Sequence, residues 1–112
     1  MVADMRRAIV ARLNDHFRGS GEGGWTFLSA GVAALPIAAK DALIRAVRLF
    51  ADFTPDNDPH GEHDCAFVRV SDHRIIWKID YHPAEATRAY DPDPADPATV
   101  RRVMTIMLAE EY

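Results

Sequence analysis

The stretch that most limits how this chain can fold is residues 52–64, Asp-Phe-Thr-Pro-Asp-Asn-Asp-Pro-His-Gly-Glu-His-Asp. Five carboxylates (Asp52, Asp56, Asp58, Glu62, Asp64) and two histidines (His60, His63) share thirteen positions with no Lys or Arg. Like charges at this density repel, so a chain keeps them where water, a cation or a basic partner screens them. Pro55 and Pro59 stop the preceding helix from running through. The run reads as a surface loop between two structured stretches. It is also the first candidate site.

Length allows one domain: 112 residues form a single compact unit, 1–112, and not two. No apolar run approaches the ~20 residues of a membrane span. Met1 to Arg12 carry charges throughout and lack a signal-peptide core. A cytoplasmic protein without membrane contact is therefore expected. A single cysteine, Cys65, rules out an internal disulfide and a multi-cysteine zinc site. The net charge of −4 conceals an asymmetry. Residues 1–51 hold seven basic and four acidic side chains, a balance of +3, and residues 52–112 hold six and thirteen, a balance of −7. The acidic half argues against direct nucleic-acid binding over that surface. It suits a cation or a protein partner with a basic groove.

Periodicity predicts the elements. Met5, Ile9, Leu13 and Phe17 recur at helical spacing in residues 3–18, and the glycine-rich 19–24 segment ends that helix. Trp25 to Ser29 reads as a short strand and Gly31 as a turn. A second helix runs from Pro36 to about Phe50, with Leu43, Ile44, Val47, Phe50 and Ala51 as its apolar stripe. Cys65–Val70 and Arg74–Tyr81 read as a hairpin turning at Ser71-Asp72-His73, with Ile75, Trp77, Ile79 and Tyr81 facing the core. Asp96-Pro97 looks like a helix start, and Val100, Val103, Met104, Met107 and Leu108 follow helical spacing to the C-terminus. The expected fold is α+β: about three strands in a small antiparallel sheet packed with three helices, in the order α-β-α-β-β-α.

The sequence offers residues for four chemistries. A divalent metal could be held by His60, Glu62, His63 and Asp64 with Asp80 in support, because carboxylate oxygens suit hard cations and imidazole suits zinc or iron. Known metal motifs do not complete. Position twelve of an EF-hand-like loop starting at Asp56 is Phe67, and His60 and His63 stand three apart instead of four. His60-Gly-Glu62 lacks the paired cysteines of a zinc deaminase. The competing reading of the run is a turn-rich structural loop held by Asp and Thr side chains. Cys65 could act as a nucleophile with His63, His73 or His82 as base, though a buried inert thiol is commoner. Asp80 and Glu62 could share acid–base work, against an ion pair of Asp80 with Lys78 or Arg74. Finally, Asp52, Asp56, Asp58, Glu62, Asp64, Asp91 and Asp93 could form one negative surface for a basic protein cleft. The 19–24 segment is not a nucleotide loop, since it follows a helix and lacks Gly-Lys-Ser/Thr.

The 52–64 run, Trp77-Lys-Ile-Asp-Tyr81, Asp93-Pro-Ala-Asp-Pro97 and Thr105-Ile-Met-Leu-Ala-Glu-Glu-Tyr112 resemble the signature of a small uncharacterised bacterial family often met on plasmids and other mobile elements. The chain departs from it at Asp64-Cys65-Ala66, where the usual pattern is Asp-Phe-Gly, and at His82, where it has tyrosine. The resemblance implies a mobile-element setting, where small acidic proteins that block host defence systems are frequent. It implies no activity and no ligand. The expectation is a non-enzymatic interaction protein of anti-CRISPR or antirestriction type, without a required cofactor. The alternative is a metal-dependent hydrolase at His60, Glu62, His63 and Asp64. Oligomeric state is left open by the sequence.

Overall fold

A computed structural model describes residues 2–84 and 92–112. The elements are α1 (Val2–Ser20), β1 (Gly24–Leu28), α2 (Ala30–Ala33), α3 (Ile37–Leu49), β2 (Cys65–Val70), β3 (His73–Pro83) and β4 (Val100–Leu108), followed by a 3₁₀ turn at Ala109–Glu111. The strands form one sheet in the order β1-β4-β3-β2. β2–β3 and β3–β4 are antiparallel, and β1 lies parallel to β4. The α+β class stands. The all-antiparallel sheet of about three strands is corrected to a mixed sheet of four, and the C-terminal helix is corrected to β4.

The helical spacing at the C-terminus was incidental. The inward residues of β4 are Val100, Arg102, Met104 and Ile106, a period of two, and all are buried. Arg102 breaks the apolar alternation, while Val103 and Met107 add apolar residues to the opposite face. Together they imitate a helix.

α1 also differs in its buried stripe. Val10, Ala11, Asn14, Phe17 and Arg18 face inward, whereas Met5 and Ile9 are 65% and 42% exposed. Residues 2–9 are exposed on every side. The helix stops where the Gly21 N–H bonds back to the Phe17 carbonyl at φ +79°, a backbone that glycine adopts without strain. Gly31 lies in α2 and not in a turn; Ser29 caps that short helix by accepting from the Val32 N–H. Pro36 is the residue before the first turn of α3 instead of within it. The hairpin has the predicted two-strand form, with Ser71 at φ +53° in its two-residue connection.

α1, α3 and the 50–64 segment all lie on one face of the sheet. There Phe17, Val32, Leu43 and Val47 pack on Ala66, Ile75, Trp77, Ile79, Met104 and Ile106. Tyr81 packs at the margin of this core. Gly24 lets β1 approach β4: a Cβ there would overlap the Arg102 carbonyl oxygen and come within 2.9 Å of the Phe17 ring. The chain end is fastened by Glu111, whose carboxylate accepts from Ser29 Oγ, the Gly31 N–H at 3.0 Å and the Leu108 N–H at 2.8 Å. These three bonds hold its pKa below the ordinary value. No helix among the described residues is long and apolar enough to cross a membrane.

Candidate functional site

The acidic loop is a built structure. The Thr54 N–H donates to Asn57 Oδ1 and the Asn57 N–H to Thr54 Oγ1, a reciprocal pair at 2.9 and 3.3 Å. Asn57 Nδ2 reaches the Asp52 carbonyl at 2.8 Å, and the Asp58 N–H donates to the Thr54 carbonyl. Asp58 is buried, and its carboxylate accepts the His63 N–H at 3.2 Å. That bond supports a strained residue: His63 has φ +54°, which costs a non-glycine residue roughly 1–2 kcal/mol. Its imidazole lies flat on Phe53, with centroids 3.8 Å apart and planes 4° from parallel. His63 Nδ1 sits 2.9 Å from Asp15 on α1, and Nε2 sits 3.6 Å from Asp58.

Below this loop runs a buried polar network that ties α1 to the sheet. Asn14 is fully buried. Its amide donates to the Glu62 carbonyl at 2.9 Å and to Tyr81 Oη at 2.8 Å, and its oxygen accepts from Arg102 Nε at 2.6 Å. Arg102 also donates to the Pro94 carbonyl. Burial holds its guanidinium below the usual arginine range and pushes the Tyr81 hydroxyl up. One turn further along α1, Arg18 donates to the Val47 and Phe50 carbonyls and to Asp15. Its guanidinium lies 4.7 Å from the Trp77 ring and 5.2 Å from Phe53. Among the described residues two buried donors, Arg18 Nη1 and Trp77 Nε1, have no acceptor.

The candidate residues are thus divided. Asp52, Asp56 and His60 are exposed on the loop, Glu62 and Asp64 are half-buried, and Asp58 is buried inside it. Burial, and then the nearby Asp58 and Asp80 charges, push the Asp64 carboxyl above its ordinary value. Asp80 is on the opposite face of the sheet, exposed, and 3.4 Å from Lys78. Asp93 accepts from the Ala95 N–H, and from Arg6 of α1, and both hold its carboxyl down. Asp91 lies outside the described residues. Among the described residues no three His, Cys, Asp or Glu side chains converge as a metal site would require. The Cys65 thiol is pushed up by burial and by Asp64 beside it, the reverse of an activated thiolate.

The basic half meets the acidic half within the molecule. The exposed first turns of α1 lie against both acid segments: Arg6 pairs with Asp93, and Arg7 lines a shallow concavity of about 320 Å³ with Phe53, Pro55, Pro59, His60 and His63. Sequence reasoning missed Asn14, Asp15, Arg18 and Arg102. The signal was present in the spacing of positions 10, 11, 14, 17 and 18, which follows a helix turn by turn. Two of those five are Asn and Arg, so the apolar residues Met5, Ile9, Leu13 and Phe17 outline a different stripe.

These features define an α+β domain with three α-helices among the described residues, a mixed sheet and an ordered acidic loop clamped to α1. The chain belongs to the family described as protein of unknown function (DUF3768), whose model matches residues 28–111. No curated protein and no solved structure matches it.

Proposed function

We propose that this chain is a non-enzymatic interaction protein that presents its 52–64 loop to a partner with a basic groove. The observation that carries the reading is the hydrogen bonding within the loop. The Thr54–Asn57 pair, the Asn57–Asp52 bond and the buried Asp58 hold Asp52 and Asp56 outward in one geometry. A preorganised loop loses little conformational freedom on docking, so its charges act on affinity without an ordering cost. Asp58 is excluded from the contact because its carboxylate is committed to His63. A nucleic-acid-targeting defence complex has a basic cleft of the required kind, and a cytoplasmic location follows from the same reading.

The test uses purified RNA-guided nucleases and restriction nucleases in cleavage assays with the chain added. Dose-dependent inhibition is expected. It should be relieved by reversing Asp52, Asp56 and Glu62 to lysine, with the thermal melt unchanged. Inhibition that survives the triple reversal would sink the acidic-surface reading. A stoichiometric metal in the purified chain, lost in the double variant His60→Ala/His63→Ala, would replace it with the hydrolase reading.

A further inference from the structure

The sheet has a second face, and its chemistry is different. Side chains alternate across strands, so the residues that do not enter the core point the other way. β1 presents Trp25 and Phe27 there, and β2 presents Phe67, at 54%, 52% and 54% exposure. Between these edges lie Ile76 and Met107, buried register partners, and the half-buried Val103 and Thr105. Four cations stand among them: Arg69, Arg74, Lys78 and Arg101. Asp80 is the one carboxylate that these strands place on the same face. Asp72 and Glu110 border it only beside Arg74, at the hairpin end. The Arg101 guanidinium lies 4.5 Å over Trp25, and that of Arg74 lies 5.8 Å from Phe67. Asp93, Asp58, Glu62 and His63 lie elsewhere, toward α1 on the helical side, and Asp64 is the acid of the 52–64 run whose charge reaches Asp80.

We propose that this open sheet face binds single-stranded nucleic acid, with bases stacked on Trp25, Phe27 and Phe67 and phosphates paired with Arg69, Arg74, Lys78 and Arg101. Aromatic rings displayed beside arginines on a sheet face that no described element covers offer what an unpaired strand needs: flat apolar faces for bases and cations for the backbone. A duplex keeps its base faces stacked and cannot use the rings. The edge strands are about 14 Å apart, so the two aromatic groups hold different bases of one strand. The polar Thr105, Lys78 and Asp80 lie in the central strands between those groups. That separation disfavours insertion into a membrane, which needs continuous apolar area. The −7 balance of the acidic half does not oppose the proposal. Charge counted along the chain mixes two surfaces that the sheet keeps apart.

The site shares no residue with the acidic loop, so either reading can fail alone. The test is fluorescence anisotropy of labelled oligothymidine and oligouridine of about 12 nucleotides, titrated with the full chain at about 50 and 200 mM salt. Saturable binding is expected, weakened roughly tenfold by Trp25→Ala and by Phe67→Ala. Arg101→Gln should lower the slope of log affinity against log salt by about 0.7. Base stacking should quench tryptophan emission, and Trp25→Phe should abolish the quench while retaining most of the binding. Unchanged thermal melts in these exposed-site variants separate lost contacts from lost folding. The proposal is overturned by no binding at the lower salt, by equal affinity for a duplex, or by binding indifferent to Trp25→Ala, Phe67→Ala and Arg101→Gln alike. It is also overturned if only phosphatidylserine vesicles bind, or if sedimentation shows a dimer that Trp25→Ala dissolves.

Discussion

Asn14 concentrates the residue-scale argument. One buried amide serves three partners, and each comes from a different part of the chain: the Glu62 carbonyl, Tyr81 on β3 and Arg102 on β4. Asn14→Ala leaves the buried Arg102 Nε and the Glu62 carbonyl without their partner. A cost on the order of 3 kcal/mol is expected in a urea titration, since bonds to charged groups and buried unsatisfied groups are the expensive ones. Asp64 acts in the opposite sense. Its folded pKa is raised by burial, so at neutral pH the folded state carries a disfavoured carboxylate. That penalty is present above the folded pKa and disappears as pH falls below the ordinary value of 3.8, where both states are protonated. Asp64→Asn should therefore stabilise the protein at pH 7, with the gain shrinking as the medium is acidified. Thermal melts across that range check the sign.

At the scale of elements, α3 ends without side-chain help from its own sequence. Its last carbonyls would be orphaned, as at any helix C-terminus. Arg18 of α1 supplies the donors, reaching the carbonyl of Val47 within α3 and that of Phe50 just past its end. The same side chain stacks on Trp77 and Phe53, so one residue joins two helices, the acidic loop and β3. Arg18→Met keeps the aliphatic stem and removes the donors; a loss of about 2–4 kcal/mol by chemical denaturation is expected. β1 depends on a missing side chain. Gly24→Ala would drive a Cβ into the Arg102 backbone, which cannot swing aside as a flexible side chain would. The expected result is destabilisation by more than about 2 kcal/mol, with faster amide exchange in β1 than in β3.

For the whole molecule, the long-range pairing comes from the ends of the chain. β1 lies parallel to β4, and residues 24–28 pair with 102–106. α1 contributes Val10, Asn14, Phe17 and Arg18 to the buried interior. A chain shortened to residues 24–112 would expose the inner face of β3 and β4 and leave Arg102 without its Asn14 partner. It should fail to fold, read as lost near-ultraviolet dichroism and rapid proteolysis, although every strand is retained. Charge is organised at this scale too. The helical side carries Asp93 and the acidic loop with Arg6 and Arg7 set against them, and the open sheet face carries Arg69, Arg74, Lys78 and Arg101.

Much of this was legible in order along the chain. α1, β1, α3 and the β2–β3 hairpin could be read from local pattern, because their periods, glycines and prolines act within a few residues. The acidic run could be read as a loop for the same reason: Pro55, Pro59 and repelling carboxylates exclude a continuous helix without reference to anything distant, although the burial of Asp58 could not be read. Membership of an uncharacterised family could be suspected from the sequence. β4 could not, because an inward arginine is tolerable only where Asn14 and the Pro94 carbonyl meet it, and those contacts span 88 and 8 residues. Nor could the role of Asn14 and Arg18, polar residues on a core-facing stripe whose partners lie on other elements. The parallel pairing of β1 with β4 needs a crossover that no turn signal specifies. The separation of an acidic side from a basic aromatic face depends on which side of a strand each residue points to, and on which strands are neighbours. Local propensity determined most of the segments; burial and long-range hydrogen bonding decided β4, the register, the faces and the sites those faces form.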